Sequence, residues 1–111
     1  MVQYQDTLDR SFGALSDPTR RAILLRLGRG SASISELCER FPMTLTGLKK
    51  HVSILEQAGL VSTTKVGRVR ECRLGPRKLD ELSRWITSYQ QMLEQRLDSL
   101  DDFLERTKGT P

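Results

Sequence analysis

The chain of 111 residues predicts a mainly α fold of the α+β class, with helices dominating and two short strands near the middle. Three observations carry this. Apolar residues recur at helical spacing in several segments, capped by Asp, Ser or Thr and stopped by Gly or Pro. One stretch, Leu60 to Leu74, instead collects β-branched residues on both sides of Gly67-Arg68. A third segment, after Pro76, keeps an apolar stripe for about thirty residues.

The elements follow in order. Leu8, Phe12 and Leu15 share one face of a short first helix. Asp17-Pro18 is a helix start: an N-cap acceptor followed by proline at the first helical position. The helix it opens, Thr19 to about Leu27, carries Ile23, Leu24 and Leu27 on one side and ends at Gly28 and Gly30. Ser35 is the expected N-cap of a short helix through Phe41, stopped by Pro42. Thr44 caps the next, Thr44 to Ala58, which ends at Gly59. Its Leu48, Val52 and Leu55 stand at i, i+4 and i+7 and bury one face, joined by Ile54, while Lys49, Lys50 and Ser53 fall largely on the others. Leu60–Val66 and Val69–Leu74 form a hairpin around Gly67. Pro76 then opens a long helix, about Arg77 to Thr107, a rod of roughly 45 Å. Its stripe runs Leu79, Leu82, Ile86, Tyr89, Leu93, Leu97, Leu100 and Leu104, widened by Trp85, Met92 and Phe103. This spacing is close to a heptad, and the rod is too long for the small domain to cover. It is therefore expected to pair two chains, a dimer seam through Leu82, Trp85, Ile86, Tyr89, Leu93, Leu97 and Leu100.

A single domain is expected over 1–111, with a core over 8–75 and the long helix over 76–107. Hydrophobic content of 37% with 29% charged residues fits a globular chain rather than a disordered one. No apolar run reaches the length of a membrane span, and the N-terminus has no signal-peptide pattern. Two cysteines are too few for a disulfide framework, so a reducing cytoplasm is the natural setting, with no membrane partner.

Charge is unevenly placed. The total is +4. Between Thr44 and Gly75, Lys49, Lys50, Lys65, Arg68, Arg70 and Arg73 stand against only Glu56 and Glu71. From Met92 to Thr107, five carboxylates outweigh Arg96 and Arg106. A cationic, hydroxyl-bearing helix beside a basic hairpin suits a polyanionic groove. The order helix, helix, short helix, longer helix, hairpin, long helix is that of a winged helix-turn-helix with a two-stranded wing and a C-terminal dimerisation helix. In that arrangement the second of the two crossed helices enters the major groove, and the hairpin reaches backbone or minor groove.

Leu15-Ser16-Asp17-Pro18-Thr19-Arg20-Arg21-Ala22-Ile23-Leu24, Ile34-Ser35-Glu36-Leu37, Lys50 to Val61 and the Gly67-Arg68 wing, in this order, resemble the arsenic-repressor (ArsR) family of bacterial regulators. The likeness covers about residues 8 to 75. It implies a homodimeric repressor of a palindromic operator, paired through its first and last helices, which adds Leu8 and Phe12 to the seam. The chain departs from the family pattern at its metal site. Glu36-Leu37-Cys38 is followed by Glu39 and Arg40, without the second cysteine of Cys-x-Cys, and the last helix has no histidine. A metal-independent member is expected, with no cofactor and an effector left unidentified.

The candidate DNA-binding residues are Thr44, Thr46, Gly47, Lys49, Lys50, His51, Ser53, Lys65, Arg68 and Arg70. Lysines and arginines meet phosphates or a guanine edge; threonines donate to phosphate or touch a thymine methyl. Thr44 serves equally well as a cap alone. Gly47 either lets the backbone approach DNA or is simply tolerated. His51, the only histidine, contacts phosphate or sits under the wing. One of Arg20 and Arg21 faces DNA or an acidic partner, and the other makes an ion pair at the core edge. Cys38 and Cys72 read first as small buried residues, second as thiol or metal sensors. No nucleophile–base pair, phosphate-binding glycine loop or carboxylate cluster points to an enzyme, so no catalytic residue is expected. The competing non-enzymatic reading is a winged helix that docks proteins without DNA; the bare lysines of its central helix argue against it.

Overall fold

The computed structural model describes residues 2–76 and 79–108, with side chains from 6 to 107 apart from 77 and 78. The chain divides into two compact units, one ending at Leu79 and one beginning at Asp80. The first unit holds α1 (Val2–Leu15), α2 (Pro18–Leu27), β1 (Ala32–Ser33), α3 (Ile34–Arg40), α4 (Leu45–Gln57), β2 (Val61–Val66) and β3 (Val69–Leu74). The second is the helix α5 (Asp80–Lys108).

Local chemistry sets most of the boundaries. Asp17 caps α2 with Pro18 at the first helical position, its carboxylate accepting from the Arg20 amide at 3.1 Å. That amide, with the Arg20 guanidinium nearby, holds the Asp17 carboxyl below its ordinary range. Thr44 caps α4 through the Gly47 amide at 3.1 Å. At the other end of α4, the Leu60 amide reaches the Leu55 carbonyl and the Gly59 amide that of Glu56. These bonds and the φ of +78° at Gly59 form a Schellman stop. Val66 and Val69 pair across the wing turn, and the positive φ of +64° falls on Gly67, the first of its two central residues.

Two expectations change. The short helix α3 is capped by Ser33, not Ser35. Ser33 accepts from the Glu36 amide at 3.1 Å and its own amide donates to the Glu36 carboxylate at 3.4 Å. This reciprocal box needs a carboxylate three residues on; Ser33 has Glu36 there, and Ser35 has Cys38. The sheet also has three strands rather than two, in the order β1-β3-β2 and antiparallel throughout. Ala32 pairs with Cys72 and Ser33 with Glu71, so the residue that caps α3 also closes the sheet edge.

One core holds the first unit. Ile23 of α2, Leu37 of α3, Leu48 and Leu55 of α4, and Val61 and Cys72 of the sheet are all fully buried. On α1 the covered face is Leu8, Ser11 and Ala14, with Leu15 half-buried and Phe12 exposed. The base of the wing is locked to the end of α4. The Gly75 amide donates to the Leu60 carbonyl at 2.8 Å, and a Cβ at Gly75 would stand 2.3 Å from the Gly59 carbonyl oxygen.

In the second unit α5 starts at Asp80; the expected start at Arg77 lies outside the described residues. Asp80 and Glu81 in the first turn complement the helix dipole. Leu82 is buried, whereas Trp85, Ile86, Tyr89, Met92, Leu93, Leu97, Leu100, Phe103 and Leu104 are all exposed. The Trp85 and Tyr89 rings stack at 5.4 Å.

Ser33→Ala is expected to cost about 1 kcal/mol in urea unfolding, and Ser35→Ala less than about 0.5 kcal/mol. Equal costs would return the cap to Ser35. Gly75→Ala is expected to cost about 1–3 kcal/mol, because backbone atoms cannot yield as a side chain would. Gly13→Ala, with open space at its Cβ, should stabilise by up to about 1 kcal/mol.

Candidate nucleic-acid interface

The rotation of α4 about its axis is fixed by Leu48, Val52 and Leu55, which point into the core. The opposite stripe follows by geometry: Thr46, Lys49, Lys50, Ser53 and Gln57 stand at i, i+3, i+4, i+7 and i+11, and all five are exposed. Gln57 lies inside the expected helix but not among the expected DNA-binding residues; it joins the stripe by its position. Leu45, also exposed at 45%, places an apolar side chain at the N-terminal end.

The wing contributes a second cationic surface. Side chains alternate along each strand, so Val61, Thr63 and Lys65 share one face of the hairpin with their partners Leu74, Cys72 and Arg70. At the base that face is core, where Val61 and Cys72 are buried. Toward the tip the same face continues as exposed Lys65 and Arg70, paired directly across the strands. Two like charges in register destabilise a free hairpin and favour an anion between them. This face is also the α4 side of the wing, since the Thr63 hydroxyl donates to the Glu56 carboxylate at 2.6 Å. Arg68 is exposed at the turn, and Arg73 lies on the other face with Ser62 and Glu71.

Both carboxylates of this region have hydroxyl partners: Glu56 accepts from Thr63, and Glu71 from Ser31 at 2.6 Å. Glu71 stands away from the Thr46–Lys49–Lys50–Ser53 stripe, whereas exposed Glu56, seven residues on from Lys49, borders its lysine edge and is engaged by the wing.

The remaining candidates fall into place around it. Thr44 is a cap, its hydroxyl oxygen committed to the Gly47 amide. Gly47 sits where a Cβ would come 3.2 Å from that oxygen, so glycine there leaves the cap undisturbed. His51 is half-buried and turned to α2 rather than the wing. Its Nδ1 lies 3.2 Å from the Arg20 guanidinium and 3.9 Å from the Asp17 carboxylate. A guanidinium only donates, so Nδ1 accepts and the ring proton sits on Nε2.

Arg20 and Arg21 now separate. Arg20 is partly buried and donates to the carbonyls of Ala14 at 2.8 Å and Gly13 at 3.0 Å, as well as to His51. It ties the end of α1 to α4. Arg21 is exposed and donates to the Leu15 carbonyl at 2.7 Å. Cys72 is buried in the core, where burial, with Glu56 close by, raises its thiol pKa above the ordinary value. Cys38 is half-buried, its thiol near the Met43 carbonyl. Among the described residues no three His, Cys, Asp or Glu side chains are grouped to hold a metal ion, and no helix is long and apolar enough to cross a membrane.

Known proteins share both sequence and architecture with this chain. A family profile described as a helix-turn-helix domain matches residues 15–64. The HTH-type transcriptional regulator Rv2034 of Mycobacterium tuberculosis is 33% identical over 98 residues, 81% of this chain and 92% of its own. The crystal structure of an ArsR family transcriptional regulator, RHA00566, is 42% identical and superposes with a TM-score of 0.78 over 85% of this chain and 97% of its own. An ArsR-like transcriptional regulator from Rhodococcus sp. RHA1 is 33% identical, with a TM-score of 0.84 over 96% of this chain and 97% of its own. The likenesses extend over nearly the full length of these relatives, and on them, together with the winged-helix geometry, the chain belongs to the ArsR family of helix-turn-helix transcriptional regulators.

Proposed function

We propose that the chain is a homodimeric transcriptional repressor that binds a palindromic operator in double-stranded DNA. Each protomer lays α4 in a major groove, and the two half-sites lie about one helical turn or a small multiple apart. One observation supports this most: the exposed stripe of α4 is Thr46, Lys49, Lys50 and Ser53, its flanking Glu56 bonded to Thr63, beside the cationic tip of the wing. Lys49 and Lys50 contact phosphate or a guanine edge, and Thr46 and Ser53 supply hydroxyls to backbone or base. Lys65, Arg68 and Arg70 hold the flanking backbone and set register. Thr44 and Gly47 act through the start of the helix, where the backbone comes close to DNA. His51 acts indirectly, by fixing α4 against Arg20.

The pairing of protomers rests on α5. Its stripe from Trp85 to Leu104 is exposed over most of a 29-residue helix, a larger apolar surface than a lone chain in water ordinarily leaves open. We assign it to a second copy, joined by Phe12 of α1. Repression follows the family likeness, and DNA binding proceeds without a metal, a reading that rests on Glu39 and Arg40 following Cys38 where the family pattern has a second cysteine.

Fluorescence anisotropy with a labelled duplex at several salt concentrations tests the DNA surface. Lys49→Ala and Lys50→Ala are each expected to weaken binding, and a pure phosphate contact lowers the salt slope by about one unit. Unchanged affinity and slope in both would remove α4 from the reading. Sedimentation tests the pairing: the chain should be dimeric at micromolar concentration. Leu93→Glu should give monomers whose affinity for a two-half-site duplex falls by about tenfold or more. A stable monomer in the unmodified protein would overturn the dimer.

A further inference from the structure

A hollow of about 750 Å³ opens on the first unit between α2, Leu60 beyond the end of α4, and the end of the wing. This size is typical of small-molecule sites, which run to about 300–1,000 Å³. Its walls are apolar. Leu24 and Leu25 come from α2, Leu60 follows α4, and Leu74 is the last residue of β3. Its charged lining residues are Arg21 and Arg29, and it has no acidic one.

Leu25 matters most here. It is 76% exposed, an apolar side chain left in water at the rim of an apolar cavity. Scattered exposed leucines need no explanation, but one that borders a leucine-lined hollow enlarges a single apolar surface. Of the two arginines, Arg21 already donates to the Leu15 carbonyl, which leaves the exposed Arg29 as the better partner for an anion. An apolar body matches the leucines, and one carboxylate matches the guanidinium, which pairs with it in a planar two-bond geometry.

The floor of the hollow is the junction that joins the reading helix to the wing. Leu60 is held to Leu55 at the end of α4 and to Gly75 after β3. Gly75 has no room for even a methyl group against Gly59. A molecule seated between α2 and this junction bears directly on the residues that join α4 to the wing.

We propose that this hollow binds an amphipathic organic anion, an apolar body bearing one carboxylate, and that its occupancy changes the affinity for duplex DNA. The second half rests on the DNA-reading function above; the first does not.

Octanoate is the probe, with octan-1-ol as its uncharged counterpart, and amide shifts of the ¹⁵N-labelled protein report the site. Octanoate is expected to move the amides of Leu24, Leu25, Arg29, Leu60, Leu74 and Gly75. Arg29→Gln should weaken octanoate by about tenfold, the loss of a charge-assisted contact, leave octan-1-ol unchanged, and be rescued in part by Arg29→Lys. Leu25→Glu, at an exposed position that the fold does not need, should abolish octanoate binding by like-charge repulsion. Octanoate should alter duplex affinity by about fivefold or more in the unmodified protein, and not in Leu25→Glu. Absence of these shifts, or equal octanoate binding by Arg29→Gln, would overturn the site. Shifts that follow protein dilution instead would assign the hollow to a second copy and likewise overturn it. Octanoate bound without any change in duplex affinity would overturn the regulatory half. If the protein bound no duplex at all, the amide map would still report the site, so the two readings fail separately.

Discussion

The rotation of one helix about its own axis governs everything that faces outward from the first unit. Leu48, Val52 and Leu55 are buried on one side of α4, and burying three such side chains is worth several kcal/mol, on the order of 1.5–3 kcal/mol each. A turn of α4 by one residue position, about 100°, would bring Lys49 toward the core and carry a leucine into water. The cost of burying an ammonium without a partner makes that state inaccessible. The polar stripe is therefore a consequence of the apolar one. The same holds at the wing, where Val61 and Cys72 bury one face of the hairpin and thereby commit Lys65 and Arg70, further along that face, to the α4 side.

A second layer of contacts holds α4 against its neighbours rather than turning it. Arg20 collects two carbonyls at the end of α1 and the His51 ring of α4, so one guanidinium spans three helices. Glu56 and Thr63 join α4 to β2, and Ser31 and Glu71 join the start of β1 to β3. Each of these bonds is modest alone, about 0.5–1.5 kcal/mol, or somewhat more where a charge takes part. Together they position the reading helix and the wing as one surface.

Much of this was legible in the residues. Asp17-Pro18, Thr44 and Gly59 mark helix ends by local chemistry that needs no tertiary context, and they stand where the chain says. The apolar periods of α4 and α5 and the β-branched hairpin were equally plain. What stayed hidden depended on distant partners. β1 is two residues long, too short to carry a period, and exists because β3 pairs with it some forty residues later. The cap of α3 is a local exception: Ser35 lies in the first turn and Ser33 before it, and the spacing to Glu36, present in the chain itself, selects Ser33. Arg20 and Arg21 are adjacent and chemically alike; they diverge because neighbouring residues on a helix point about 100° apart, and only one direction meets His51. Thr44 and Gly47 had two readings each, and the hydrogen bond between them accounts for both residues as parts of a cap.

The central claim is that the stripe of α4, presented twice by a paired molecule, reads DNA. Selection of bound duplexes from a random library by the full chain tests it most directly. The account expects an inverted repeat, with half-site centres separated by about one helical turn or a small multiple of it. Recovery of unenriched sequence at every salt concentration, or of a single site without two-fold symmetry, would contradict it.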